Sequence, residues 1–154
     1  MTALLAAALL SMNPPSPIGP LGRIEGIEVR LFDTAKADFS ENVLDDTGFW
    51  SGWNTFLVEG NSGLGRGDAL VLVRIAPVHP GNGYSYAEGT LTISAFQKGK
   101  LLAQRRFRRI GLPSGKGASQ ALYLADIGCS GEINIKAEYR DQVKRARLIF
   151  ACGE

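Results

Sequence analysis

Residues 131–152, GEINIKAEYRDQVKRARLIFAC, decide the fold of this chain. Ile133, Ile135, Ala137 and Tyr139 alternate with Asn134, Lys136 and Glu138, the period-two signature of a half-buried strand. The second half repeats the pattern with Ala146, Leu148, Phe150 and Cys152. Asp141 and Gln142 supply a two-residue loop that pairs 140 with 143. Facing residues then sum to 283 and Ile135 stands opposite Leu148, so both apolar faces coincide. A hairpin with one apolar face has to bury it against a second layer, and the other segments of the chain supply strands for that layer.

The same hairpin brings the two cysteines near each other. Cys129 and Cys152 sum to 281, two residues from that register at the open end of the hairpin. Bridged cysteines have Cα atoms about 4.4–6.8 Å apart, which this placement allows if the chain bends at Gly128 or Gly131. The reading is one disulfide, Cys129–Cys152, in keeping with export; two buried thiols acting as small hydrophobes are the alternative.

Outward from the hairpin, strands fall at 24–32, 53–59, 69–76, 85–97, 101–110, 121–127, 132–140 and 144–151. Glycine and proline clusters at 60–67, 77–83, 98–100 and 112–117 break them. The run 69–76, ALVLVRIA, reads as a central strand covered on both sides. Helix is confined to one short turn within 34–46 and another within 3–10. About eight short strands at this spacing predict an all-β, antiparallel β-sandwich, immunoglobulin-like or similar. The Cys…Trp…Cys spacing of true immunoglobulin domains is absent, and the architecture itself carries no function.

With 154 residues, 45% of them hydrophobic, the chain holds one domain with a proper core. Ala3 to Leu10 is an eight-residue apolar run, too short to span a membrane at about 20 residues but suited to the h-region of an export signal. No Lys or Arg precedes it and no A-x-A site follows; a disordered or weakly helical start is the alternative. Residues 1–12 therefore read as a signal or leader, 13–22 (four prolines, two glycines) as a linker, and 23–154 as the sandwich. This predicts an exported protein, periplasmic or extracellular.

The net charge of +2 conceals an asymmetry: residues 1–97 carry 5 basic and 10 acidic side chains, residues 98–154 carry 12 and 5. Arg105, Arg106, Arg108 and Arg109 surround Phe107 and form a candidate anion site for a polysaccharide or lipid headgroup, with nucleic acid not favoured. Period two, however, puts Arg106 and Arg108 on one face and Arg105 and Arg109 on the other. The competing reading is a charged strand that resists edge pairing. Phe49, Trp50, Trp53 and Asn54 form the second candidate surface, able to stack sugars or anchor a protein, with plain core packing as the alternative.

Catalytic and cofactor chemistry finds few residues. The loop GNSGLGRGD precedes a strand where the dinucleotide fingerprint needs a helix, and GLPSGKG is one residue short of a P-loop. His79 is the one histidine, set between prolines, and no G-x-S-x-G elbow exists. A zinc site lacks ligands once the cysteines pair, and Asp33, Asp38, Glu41, Asp45 and Asp46 fit no EF-hand spacing. The sequence thus predicts no cofactor, no metal and no enzyme. It predicts a binding or accessory module that docks on a protein or envelope component, with an anion- or glycan-binding lectin-like domain as the alternative and a small hydrolase third. Self-association through a bare edge strand stays open.

Overall fold

The computed structural model describes residues 22–33, 37–44, 49–53, 68–78, 83–113, 116–127 and 131–151. Among these lie nine strands: β1 (Gly22–Asp33), β2 (Asp38–Phe39), β3 (Phe49–Trp53), β4 (Ala69–Pro77), β5 (Ser85–Gln97), β6 (Lys100–Leu112), β7 (Ala118–Leu124), β8 (Glu132–Tyr139) and β9 (Gln142–Ala151). They build two sheets, one ordered β2-β1-β4-β7 and the other β3-β9-β8-β5-β6. The chain is an all-β sandwich. Its pairings are antiparallel except that β3 runs parallel to β9, a pairing the local sequence pattern did not announce.

The β8–β9 hairpin forms with a register two residues from the expected one. Tyr139 pairs with Gln142 and Ile133 with Leu148, so facing residues sum to 281 rather than 283. The loop is Arg140–Asp141, and Arg140 takes a left-handed φ of 57°. A shift of two keeps the same side chains on the inner face, so hydrophobic pattern cannot tell the two registers apart. What the observed turn adds is a position for Gln142. Its side-chain oxygen accepts from Ile24 N at 2.8 Å and its amide nitrogen donates to Gly22 O at 3.3 Å, joining the hairpin to the other sheet.

The core lies between the sheets. Val29, Leu31, Val71, Val73, Ile75, Leu122 and Leu124 face Leu91, Ile93, Ile110, Leu112, Ile133, Ile135, Tyr139 and Leu148. Each such side chain contributes about 1.5–3 kcal/mol when fully buried. In β4 the expectation of cover on both sides is corrected: Ala69, Val71, Val73 and Ile75 are buried, while Leu70 and Leu72 are half-buried and Arg74 is exposed. A sheet in a two-layer sandwich has one inner face, even where its sequence is apolar throughout.

The segment 37–44 holds β2 and no helix. It serves the free edge of β1. Val29 N donates to Asn42 Oδ1 at 2.9 Å and Leu31 N to Ser40 Oγ at 2.9 Å, while Val43 N and Ser40 N donate back to the carbonyls of Val29 and Leu31, both at 2.8 Å. Side chains and a stretch of irregular backbone thus stand in for a neighbouring strand. Of the expected strand at 53–59, residues 54–59 lie outside the described residues; β3 ends at Trp53.

Candidate binding surface

The charge asymmetry of the sequence becomes an asymmetry between the sheets. Strands β5, β6, β8 and β9 carry nine basic and three acidic residues, whereas β1, β2, β4 and β7 carry three and four. On the five-stranded sheet Lys136 pairs across to Arg145 and Asn134 to Arg147, in rows continuous with Ser94 and Phe96 of β5. Two carboxylates partly neutralise this face, Glu138 with Lys136 at 2.7 Å and Glu132 with Arg147 at 3.4 Å. Exposed ion pairs of this sort contribute about 0–1 kcal/mol and set the surface potential more than the stability.

The arginine run lies in β6, the outermost strand of its sheet, and Arg105 and Arg109 take different partners. Arg105 pairs across from Ile93, lies over the Phe107 ring at 4.9 Å and donates to the Ala121 carbonyl of β7 at 3.2 Å. It therefore bridges the gap between the two sheets. Arg109 pairs across from Glu88 and lies over the Tyr86 ring at 4.4 Å. Arg105 and Arg109 do not share a face as expected: along β6 the inward positions change parity from Ala103 and Phe107 to Ile110 and Leu112, beside an irregularity of the ladder between Glu88 and Leu91 where Gly89 takes a φ of 117°. A bulge there changes the facing of the residues beyond it.

Arg109 instead joins an aromatic array that sequence reasoning passed over. Tyr84 and Tyr86 are 65% and 43% exposed, with ring centroids 5.1 Å apart and planes at 79°. Tyr86 pairs with Gly111 of β6. A Cβ on Gly111 would fall 1.8 Å from the Tyr84 hydroxyl oxygen, so the ring of Tyr84 lies across the space this glycine leaves. The result is two exposed aromatic rings, each fixed by a neighbour, beside a guanidinium. The available signal was the spacing YSY, which puts both tyrosines on one parity of an extended segment, opposite a glycine in the partner strand.

The other candidates are placed less fully. Phe49, Trp50 and Trp53 belong to β3, with Phe49 at the register of Arg147 and Trp50 at that of Leu148. Their side chains, and Asn54 altogether, lie outside the described residues, as do Cys129, Cys152 and His79. A cleft of about 160 Å³ opens between the ends of β6 and β7, lined by Gln97, Leu102, Ala103, Tyr123, Leu124 and Ile127. It is smaller than the ~300–1,000 Å³ of small-molecule sites. On the surface beside it Asp68 accepts from the Tyr123 hydroxyl and from Asp126 N, the latter at 2.9 Å. These bonds hold the Asp68 carboxyl below its ordinary range, and the phenol of Tyr123 is raised in turn. Among the described residues no helix is long and apolar enough to cross a membrane.

In chain order the seven long strands β1, β4, β5, β6, β7, β8 and β9 take the places A, B, C, C′, E, F and G of an immunoglobulin-like sandwich, with A-B-E packed on G-F-C-C′. No family model and no curated protein matches the chain. Among solved structures it is similar to an immunoglobulin-like protein from Pseudomonas aeruginosa, at 10% identity and a TM-score of 0.45, covering 87% of this chain and 99% of that one.

Proposed function

We propose that the chain is an exported, non-enzymatic binding module that docks on another macromolecule of the periplasm or cell surface through the Tyr84–Tyr86 end of its five-stranded sheet. The observation that carries this reading is the exposure of two large aromatic rings, Tyr86 under Arg109 and Tyr84 across the space at Gly111. A fixed aromatic ring binds with little loss of side-chain freedom, which is why tyrosine is enriched at recognition surfaces. Export is supported by the apolar run at 3–10, the Pro-rich linker at 13–22 and the even number of cysteines, with residues 23–154 forming the module.

The test is co-sedimentation of the purified protein with cell envelopes of its own organism. The double variant Tyr84→Ala/Tyr86→Ala should stay in the supernatant while melting at the wild-type temperature. Equal sedimentation of the folded variant and the wild type would overturn the reading.

A further inference from the structure

We propose that the Tyr84–Tyr86–Arg109 array binds an acidic polysaccharide, one whose sugar rings carry carboxylates; this rests on the docking role assigned to the same surface above. A pyranose ring has an apolar C–H face that lies on an exposed aromatic ring, and Tyr84 offers one at 65% exposure. Arg109 is stacked over Tyr86 at 4.4 Å, and a stacked guanidinium keeps its N–H donors around its rim. That rim is suited to a carboxylate in bidentate contact. Ring and guanidinium therefore stand side by side, as sugar ring and carboxylate do in a uronate unit.

The surroundings select the sign of the ligand. Arg106 and Arg108, both exposed, lie in the same strand as Arg109. Arg140 comes to this end of the sheet from the β8–β9 turn, its Cγ 3.2 Å from where a Cβ on Gly89 would be. Glu88 and Asp141 are the acidic residues among them. The sheet as a whole is basic by nine residues to three across its four long strands. An extended polyanion could lie along such a surface, meeting further cations beyond the first ring. A protein hot spot would instead need an apolar ring that excludes water around the tyrosines, and here Arg109 lies over the Tyr86 ring with Glu88 paired to it.

Binding is measured by affinity electrophoresis and calorimetry of the full chain with four probes. These are polygalacturonate, neutral dextran, polyglutamate and vesicles containing phosphatidylglycerol. The expected result is binding to polygalacturonate that weakens with added salt, with at least tenfold weaker binding to dextran and to polyglutamate. Arg109→Lys keeps the charge but loses the planar fork, and Gly111→Ala displaces the far end of Tyr84; each should weaken polygalacturonate binding about tenfold. Equal binding to polyglutamate would reduce the site to bulk charge and overturn the proposal. Equal binding to dextran, or binding to the vesicles without binding to polygalacturonate, would overturn it too. Envelope binding that needs the tyrosines, with none to polygalacturonate, would overturn this proposal and leave the docking surface standing.

Discussion

The hydroxyl of Tyr139, on a ring with no solvent exposure, donates to the backbone carbonyl of Glu88 at 2.5 Å. Tyr139 pairs with Leu91 in the adjacent strand, so its ring reaches along β5 to the bulge that Gly89 makes. One side chain thus fills the core and packs against the irregularity of the β5–β6 ladder that lies next to the Glu88–Arg109 pair.

Tyr139→Phe keeps the ring and removes that bond. We expect a loss of about 1–3 kcal/mol in urea unfolding, since a partly buried carbonyl loses its partner. The alkaline limb should change as well. Burial, ahead of the other causes, raises the Tyr139 phenol above its ordinary value of 10.0. Its contribution is therefore complete below about pH 10 and is lost as pH rises through the higher folded value. Wild type should lose stability above pH 10 more steeply than the variant; parallel curves would refute the assignment.

Gly22→Ala should destabilise through overpacking. A Cβ there would lie 2.8 Å from Ile75 Cγ2 and 2.9 Å from Ala87 Cβ, where the start of β1 is wedged between the sheets. The expected cost is about 1–3 kcal/mol, read from the denaturation midpoint. Gly111→Ala meets only the far end of the exposed Tyr84 side chain, which can be displaced into solvent, and should leave the midpoint near that of wild type.

Asn42→Ala removes the acceptor of Val29 N and Leu44 N, at 2.9 and 3.2 Å. A loss of about 1–3 kcal/mol is expected, together with faster amide exchange at Val29. Unchanged exchange there would show that water replaces the side chain without cost.

The acid limb should report on Asp68. Its carboxyl is held below the ordinary 3.8 first by the Tyr123 hydroxyl and then by Asp126 N. That contribution is present above the unfolded value and is lost as pH falls through the lower folded one. Tyr123→Phe removes the leading cause, so the variant should lose less stability than wild type between pH 4 and 2. The same slope in both proteins would count against the bond.

The cysteines give the last prediction. Facing residues of β8 and β9 sum to 281 through the last described pair, Glu132 and Ile149. The same sum joins Cys129 to Cys152, both beyond the described residues. Facing Cα atoms in an antiparallel pair are about 4.5 or 5.5 Å apart, within disulfide range. We expect the native protein to be two hydrogens lighter than the reduced form and to resist alkylation. Reduction should cost about 3 kcal/mol. Two alkylatable thiols in the native protein would refute the bridge.

The fold was legible because alternation in residues 131–151 and in β5 is a direct record of which side chains face the core. Register was not, since Ile133 opposite Leu148 and Ile135 opposite Leu148 satisfy the same pattern; the turn at Arg140 decides between them. The apolar run of β4 misled because its outer face, Leu70 and Leu72, is half-buried without belonging to the core. The surface was the least legible part. Charge drew attention to all four arginines and period two put Arg105 with Arg109, but β6 changes its inward parity between Phe107 and Ile110, and such irregularities leave little trace in composition. Tyr86 passed as an ordinary strand residue and Tyr84 went unremarked just before that strand, because exposure is set by what the partner strand lacks, here a side chain at Gly111.

The hydrogen bonds that Asn42 and Ser40 make along β1, and the reach of Arg105 to Ala121, have a consequence for how these molecules behave in a crowded solution. A second copy seeking to add a strand at β1 would find the amides of Val29 and Leu31 already engaged, and would have to break those bonds before gaining any of its own. At the opposite seam it would meet a guanidinium already lying across the gap. Each broken bond forfeits about 1 kcal/mol, so the first step of fibril-like growth is uphill at both places. Concentrated solutions should therefore stay clear at neutral pH, and turbidity should come first from variants that strip Asn42 or Ser40.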